Sequence, residues 1–219
     1  MRDADGPPTD RESPVGEPVI RGDPDVAGEH AARFDPDDPE SVEAAARTVR
    51  AFAGSSADGT DNVYVLQGAA ACAALVRGIG SYKAAAERAD EDATVSFIRK
   101  WARVHDLPRP IRRYVATGRI APTAAKHIAR LTGEARYTLA WAALDHGLTV
   151  REIRAVVSRV NKNQTVEEAL LAEGVRLGEM QVRLPPGTYR RLRRAAAVED
   201  AEPDDLLADA VDTYLDSEE

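Results

Sequence analysis

The sequence predicts a mainly α fold: a multi-helix domain built on a helix-turn-helix pair, a small strand-helix-helix module at the C-terminus, and a disordered acidic N-terminus. Three observations carry this. Through the middle of the chain, apolar side chains recur three and four apart, as in Val95, Ile98, Trp101 and Ala102, or Val150, Ile153, Val156 and Val157, without strand-like alternation. Residues 1–60 hold 6 basic and 14 acidic side chains with Pro7, Pro8, Pro14, Pro18, Pro24, Pro36 and Pro39, a composition that cannot gather an apolar core. Alternation appears only near the end, where Met180, Val182 and Leu184 bracket Gln181 and Arg183. The boundaries that follow are 1–38 for a disordered tail, 39–60 for a short helix and linker, 61–162 for the helical domain, 163–178 for a linker helix, and 179–217 for the C-terminal module.

The elements are justified in chain order. Asp38-Pro39-Glu40 ahead of Val42, Ala45, Ala46, Val49 and Phe52 reads as a capped helix start with proline in the first turn, and Gly54 to Thr60 ends it. The Ala-rich run from Val63 to Val76 contains Gln67 and falls short of the roughly 18 apolar residues a membrane span needs, so it predicts a buried helix. Gly78, Gly80, Pro108, Pro110, Gly118, Gly133 and Gly147 then divide the chain into helices at roughly 66–77, 81–89, 92–105, 109–117, 121–131, 134–146 and 149–160.

Charge separates the segments. The 219-residue, 23.6 kDa chain has 37 acidic and 29 basic residues, for a net charge of -8. Lys supplies only 4 of the 29 cations. Scarce Lys with abundant Arg, Asp and Glu resembles the composition of halophilic cytosolic proteins. Residues 80–160 invert the sign, with 15 basic against 8 acidic side chains. Local positive charge is what meeting phosphates requires, although Arg solvating helical faces gives the same count.

Within that basic segment, Ser81 is placed to cap a helix ending near Ala89, and Asp90-Glu91-Asp92 forms a tight turn before a second helix starting at Ala93. Ala85 and Ala89 are small where crossing helices approach, and Val95 and Ile98 lie on the inner face. Thr94, Ser96, Arg99, Lys100 and Arg103 are then left on exposed or half-exposed faces. Hydroxyls reach base edges or phosphates, whereas Arg and Lys read guanine edges or clamp the backbone. Asp92 is open to two roles, capping the helix or meeting cytosine.

Gly80 to Ala89, Val95 to Lys100, Leu107-Pro108, Ile111 to Val115, Gly118 to Ala121 with Ala124-Ala125-Lys126, and Gly147 to Ile153 together resemble the helix-turn-helix part of ParB-type partition proteins, over about 66–160. The resemblance implies a recognition helix at 93–104 in the major groove of a palindromic site, with Ser96, Arg99 and Lys100 leading the contacts and Lys126 touching phosphate. In that family a nucleotide-binding domain with a Gly-Glu-Arg-Arg motif precedes this module. Residues 1–60 contain nothing comparable, so only the DNA-binding module is implied.

From Glu179 onward, the short alternating run, Pro185-Pro186-Gly187, a helix with Tyr189, Leu192 and Ala196, and a helix with Leu206, Leu207, Ala210, Val211, Tyr214 and Leu215 resemble the ribbon-helix-helix family. A lone short strand needs a partner, so a homodimer is expected. In that family outward residues of the paired strands enter the major groove, here Gln181 and Arg183. Arg190, Arg191, Arg193 and Arg194 add positive charge, while 199–219 brings 10 acidic residues and no basic one. Dimerisation alone, dimerisation with DNA contact, and an accessory hairpin all remain open.

Residue sets for catalysis or metal binding are not evident. His30, His105, His127 and His146 are scattered, and none makes a metal spacing with Cys72. His127, between Lys126 and Arg130, reads as a phosphate contact or solvated surface. Cys72 reads as a small buried thiol, and Trp101 and Trp141 as core. The single Cys and the absence of a secretion signal or membrane span predict a cytoplasmic protein with no disulfide, membrane partner or cofactor. The expected function is site-selective binding of double-stranded DNA by a dimeric transcriptional regulator or architectural or partition-related factor, and not enzymatic catalysis. The alternative is a protein-interaction adaptor reusing the same scaffold.

Overall fold

Six of the eleven described helices start where a side-chain oxygen takes up one of the first free backbone N–H groups. The computed structural model describes residues 34–55, 61–90 and 92–217. The chain forms two units, Met1–Glu179 and Met180–Glu219. Most of the expected 1–38 tail and the Ser56 to Thr60 linker lie outside the described residues.

In the first unit, the Asp38 carboxylate accepts from the Glu40 and Ser41 N–H groups at 3.1 and 3.2 Å and opens α1, Pro39–Gly54. Asp61 accepts from Val63 N–H at 3.1 Å and opens α2, Asn62–Ile79. Helix α2 is the central core element, burying Val65, Leu66, Leu75 and the small residues between Gly68 and Ala74. A side chain at Gly68 would collide with the Phe52 ring, so glycine there lets α1 and α2 approach. Alone among the described helices, α2 is long and apolar enough to cross a membrane, and it packs against α1 and against the helix at 95–105.

Helix α3, Tyr82–Ala89, is capped by Ser81, and α4, Val95–His105, by Thr94, whose Oγ1 accepts from Phe97 N–H at 3.1 Å. The turn between them includes Asp90 at φ 108° and buries Ala93. The second helix therefore starts two residues later than expected. Thr94, not Asp92, is the cap, because the buried Ala93 belongs to the turn and its backbone N–H bonds to Asp90 O at 3.0 Å.

Helices α5, Arg109–Ala116, and α6, Pro122–Ile128, each carry a proline in the first turn, Pro110 and Pro122, where a missing N–H costs nothing. The α5 residue Arg112 is buried and donates from Nη1 to His105 O at 2.9 Å, tying α5 to the end of α4. Helix α7, Gly133–His146, ends at Gly147 with φ 64°, a left-handed conformation suited to glycine. Reciprocal bonds between Thr149 and Glu152 open α8, Val150–Val160, and between Thr165 and Glu168 open α9, Val166–Leu171. Helix α9 packs on α8 and α7 and buries Val166, Ala169 and Leu170.

The second unit holds α10, Pro186–Glu199, and α11, Pro203–Asp216. No strand occurs among the described residues. The expected strand-helix-helix module is therefore corrected to a pair of helices, and the ribbon-helix-helix resemblance that rested on it is overturned. Met180 and Val182 are 63% and 51% exposed, so the alternating side chains cover nothing, and no neighbouring strand is present to take their backbone groups. The composite of a ParB-type module followed by a ribbon-helix-helix module is replaced by an all-helical chain. Trp141 also departs from its expected place in the core. It is 45% exposed beside Tyr137, whereas Trp101 is buried against Phe52 and Phe97.

Candidate nucleic-acid interface

Helix α4 divides sharply into two faces. Ile98, Trp101, Ala102, Val104 and His105 point into the core, which leaves Ser96, Arg99, Lys100 and Arg103 together on the other side. Their spacing of three, four and seven residues puts them on one face of an α-helix. Helix α6 lies alongside and contributes Lys126 and His127, and the turn after it contributes Arg130. These seven residues line an open groove of about 320 Å³, and none of them is acidic.

Two contacts hold the cations in place. The Lys126 Nζ stands 4.6 Å from the centre of the Trp101 ring, and the Arg99 guanidinium stands 5.2 Å from that of Tyr82 on α3. Neither contact neutralises charge. Among the described residues, Arg99, Lys100, Arg103, Lys126, Arg130 and Arg154 make no ion pair with a carboxylate, whereas Arg50, Arg77, Arg88 and Arg159 pair with Asp90, Asp106, Glu43 and Glu173 at 2.7–3.2 Å. Within the groove, positive charge is thus left without a carboxylate partner.

The titrating groups there register the local potential. Partial burial, and then Lys100, hold the Lys126 ammonium below its ordinary range. Burial, followed by Arg130, Arg154, Lys126 and Lys100, holds the His127 imidazole below its usual value of 6.5. Its Nδ1 is buried and has no hydrogen-bond partner among the described residues. An oxyanion in the groove would relieve both strains by supplying negative charge.

A second groove of about 490 Å³ shares Arg103 and Arg130 and adds Asp106, Thr132, Arg136 and Asn161. Here Arg136 is committed to carbonyls, donating to Leu131 O at 2.8 Å and Asp106 O at 3.2 Å. It extends the polar surface but carries less free charge.

Of the residues singled out in the sequence, Ser96, Arg99, Lys100, Arg103 and Lys126 therefore meet in one place. Thr94 is exposed, but its hydroxyl oxygen is engaged as a helix cap. Arg183 lies in the second unit, exposed in the segment before α10, and does not line this groove. Arg130 and Arg154 were missed as site residues. Lys126 and Arg130 fall in one expected helix, 121–131, although the helix ends at Ile128 and Arg130 lies in the turn after it, whereas Arg154 reaches the site only because α8 packs on α6.

A family profile described as a family of unknown function (DUF7119) matches residues 35–175. No curated protein and no solved structure matches the chain. The ParB-type resemblance is corrected by this finding. The helices it was read from, about 66–160, fall inside the span of a different family.

Proposed function

The chain belongs to the family of unknown function (DUF7119), and from that premise, with no activity carried over from a relative, we propose that it binds double-stranded DNA site-selectively, with α4 in the major groove. The supporting observation is the single face made by Ser96, Arg99, Lys100 and Arg103, bordered by Lys126 and Arg130 in a groove without acidic lining. An α-helix about 10–12 Å across fits a major groove about 12 Å wide. In this arrangement Ser96, Arg99, Lys100 and Arg103 face base edges and Lys126 and Arg130 take phosphate oxygens, a division that separates sequence reading from positioning. The protein would act as a cytoplasmic transcriptional regulator or architectural factor.

Overall acidity does not oppose this reading, because encounter depends on the local field at the groove. The test is selection of bound fragments from randomised and genomic duplex DNA by the full chain at two salt concentrations. An enriched motif that persists at the higher salt is the expected result. Binding without enrichment that vanishes as salt rises would overturn site selectivity, and saturable capture of an acidic protein in preference to DNA would favour the adaptor.

A further inference from the structure

We propose that two copies of this chain associate through the second unit, with α10 of one copy lying against α11 of the other across a twofold axis. This inference stands independently of DNA binding. The unit spans Met180–Glu219, yet Ala196 is its only buried side chain among the described residues, and α11 buries none. Below about 70–80 residues a core by itself supplies little stability, and small units add disulfides, metals or association. The one cysteine, Cys72, lies in the other unit, and no group of metal-ligating side chains occurs among the described residues. Association with a second copy supplies burial without either.

The identity of the partner follows from charge. Helix α10 carries Arg190, Arg191, Arg193 and Arg194 with one acidic residue, Glu199, while α11 carries Asp204, Asp205, Asp209, Asp212 and Asp216 with no basic residue. Among the described residues, no ion pair joins these two helices within the chain. Each helix also has an exposed apolar edge beside its charges. On α10, Arg193 follows Tyr189 by one turn, its guanidinium 6.0 Å from the ring centre. On α11, Asp212 precedes Leu215 by one turn, and Val211, Tyr214 and Leu215 are exposed. A partner of a single sign suits one helix and repels the other. A second copy offers an acidic helix to α10 and a basic helix to α11 at once, the self-complementarity a twofold contact requires.

The experiment measures the solution mass of the full chain, without DNA, over a wide concentration range at low salt. The wild type is expected near twice the 23.6 kDa chain mass. The V211D/L215D variant is expected to be monomeric, as are R190E/R193E and D205R/D212R by themselves, with dissociation constants raised about tenfold or more. Mixing the last two restores complementary pairs on both sides of the axis, so a heterodimer should form. That recovery also shows that neither charge variant is simply unfolded. A monomeric wild type at every concentration, a dimer retained in all variants, or failure of the mixture to associate each overturns the proposal.

Discussion

The Lys126 ammonium stands 4.6 Å from the centre of the Trp101 ring, which joins the rim of the basic groove to the aromatic core. Trp101 in turn lies 5.0 Å, centre to centre, from Phe52 on α1. Such a cation contact contributes roughly 0.5–2 kcal/mol and fixes where the charge sits. Replacing Trp101 with Leu should lower stability by about 3 kcal/mol. It should also weaken DNA binding in conditions where the variant remains folded. Denaturant unfolding and a binding isotherm on the same sample check both effects.

Removing groove charges should separate them from charges elsewhere. Arg99→Ala and Lys100→Ala should each cost about 1–3 kcal/mol of DNA binding if they read bases. Lys126→Ala should weaken binding evenly across sequences and reduce the salt slope by about 1. Arg88→Ala, which removes the partner of Glu43, should leave affinity unchanged. Titrations at several salt concentrations distinguish these outcomes.

Binding of a phosphate at the groove should take up a proton at His127. Burial and the charges of Arg130, Arg154, Lys126 and Lys100 hold its free value below 6.5, and an anion pushes it back up. The complex then holds more protons than the free components, so affinity should rise as pH falls through 6.5 toward the lower free value. His127→Gln should flatten that rise, as affinity measured across pH would show.

The His105 imidazole titrates at about 3, held down by burial and then by Arg112 and Arg77. Because the folded value lies below the unfolded 6.5, the unfolded chain takes up the proton first as pH falls. This contribution is fully present above 6.5 and is lost progressively toward 3, at up to about 1.4 kcal/mol per pH unit. Thermal unfolding across that window should show the decline, and His105→Gln should remove part of it.

At Gly68, any added carbon meets the Phe52 ring. Gly68→Ala should therefore destabilise the first unit by about 1–3 kcal/mol, despite alanine's better helix propensity. Pairing it with Phe52→Leu should recover part of the loss, and a double-mutant cycle measures the coupling.

The helices of the first unit were legible because their signals are local. Asp38 and Ser81 cap where their hydrogen-bonding chemistry suggests, and the apolar spacing on α4 sorts its two faces correctly. The start of α4 was misplaced because Asp92 and Thr94 are both good caps, and only the burial of Ala93 chooses between them. The strand at 180–184 failed for a different reason. Alternation specifies a strand only when another strand and a covering layer exist, and here neither neighbours Val182. At the groove, spacing within α4 shows four members and Lys126 enters only through the ParB-type resemblance, whereas joining Arg154 to them requires knowing which helices pack together.

The lone thiol of Cys72 has a practical consequence for following this molecule in solution. It is fully enclosed within α2, and burial pushes its pKa far above the ordinary thiol range. An alkylating reagent can reach it only when the core opens, since the reactive species is the thiolate. The labelling rate of the unmodified chain is therefore a clock for opening of the first unit. A cysteine introduced at exposed Ser96 would react on an entirely different timescale, so one sample could report groove occupancy and core opening through two separable signals.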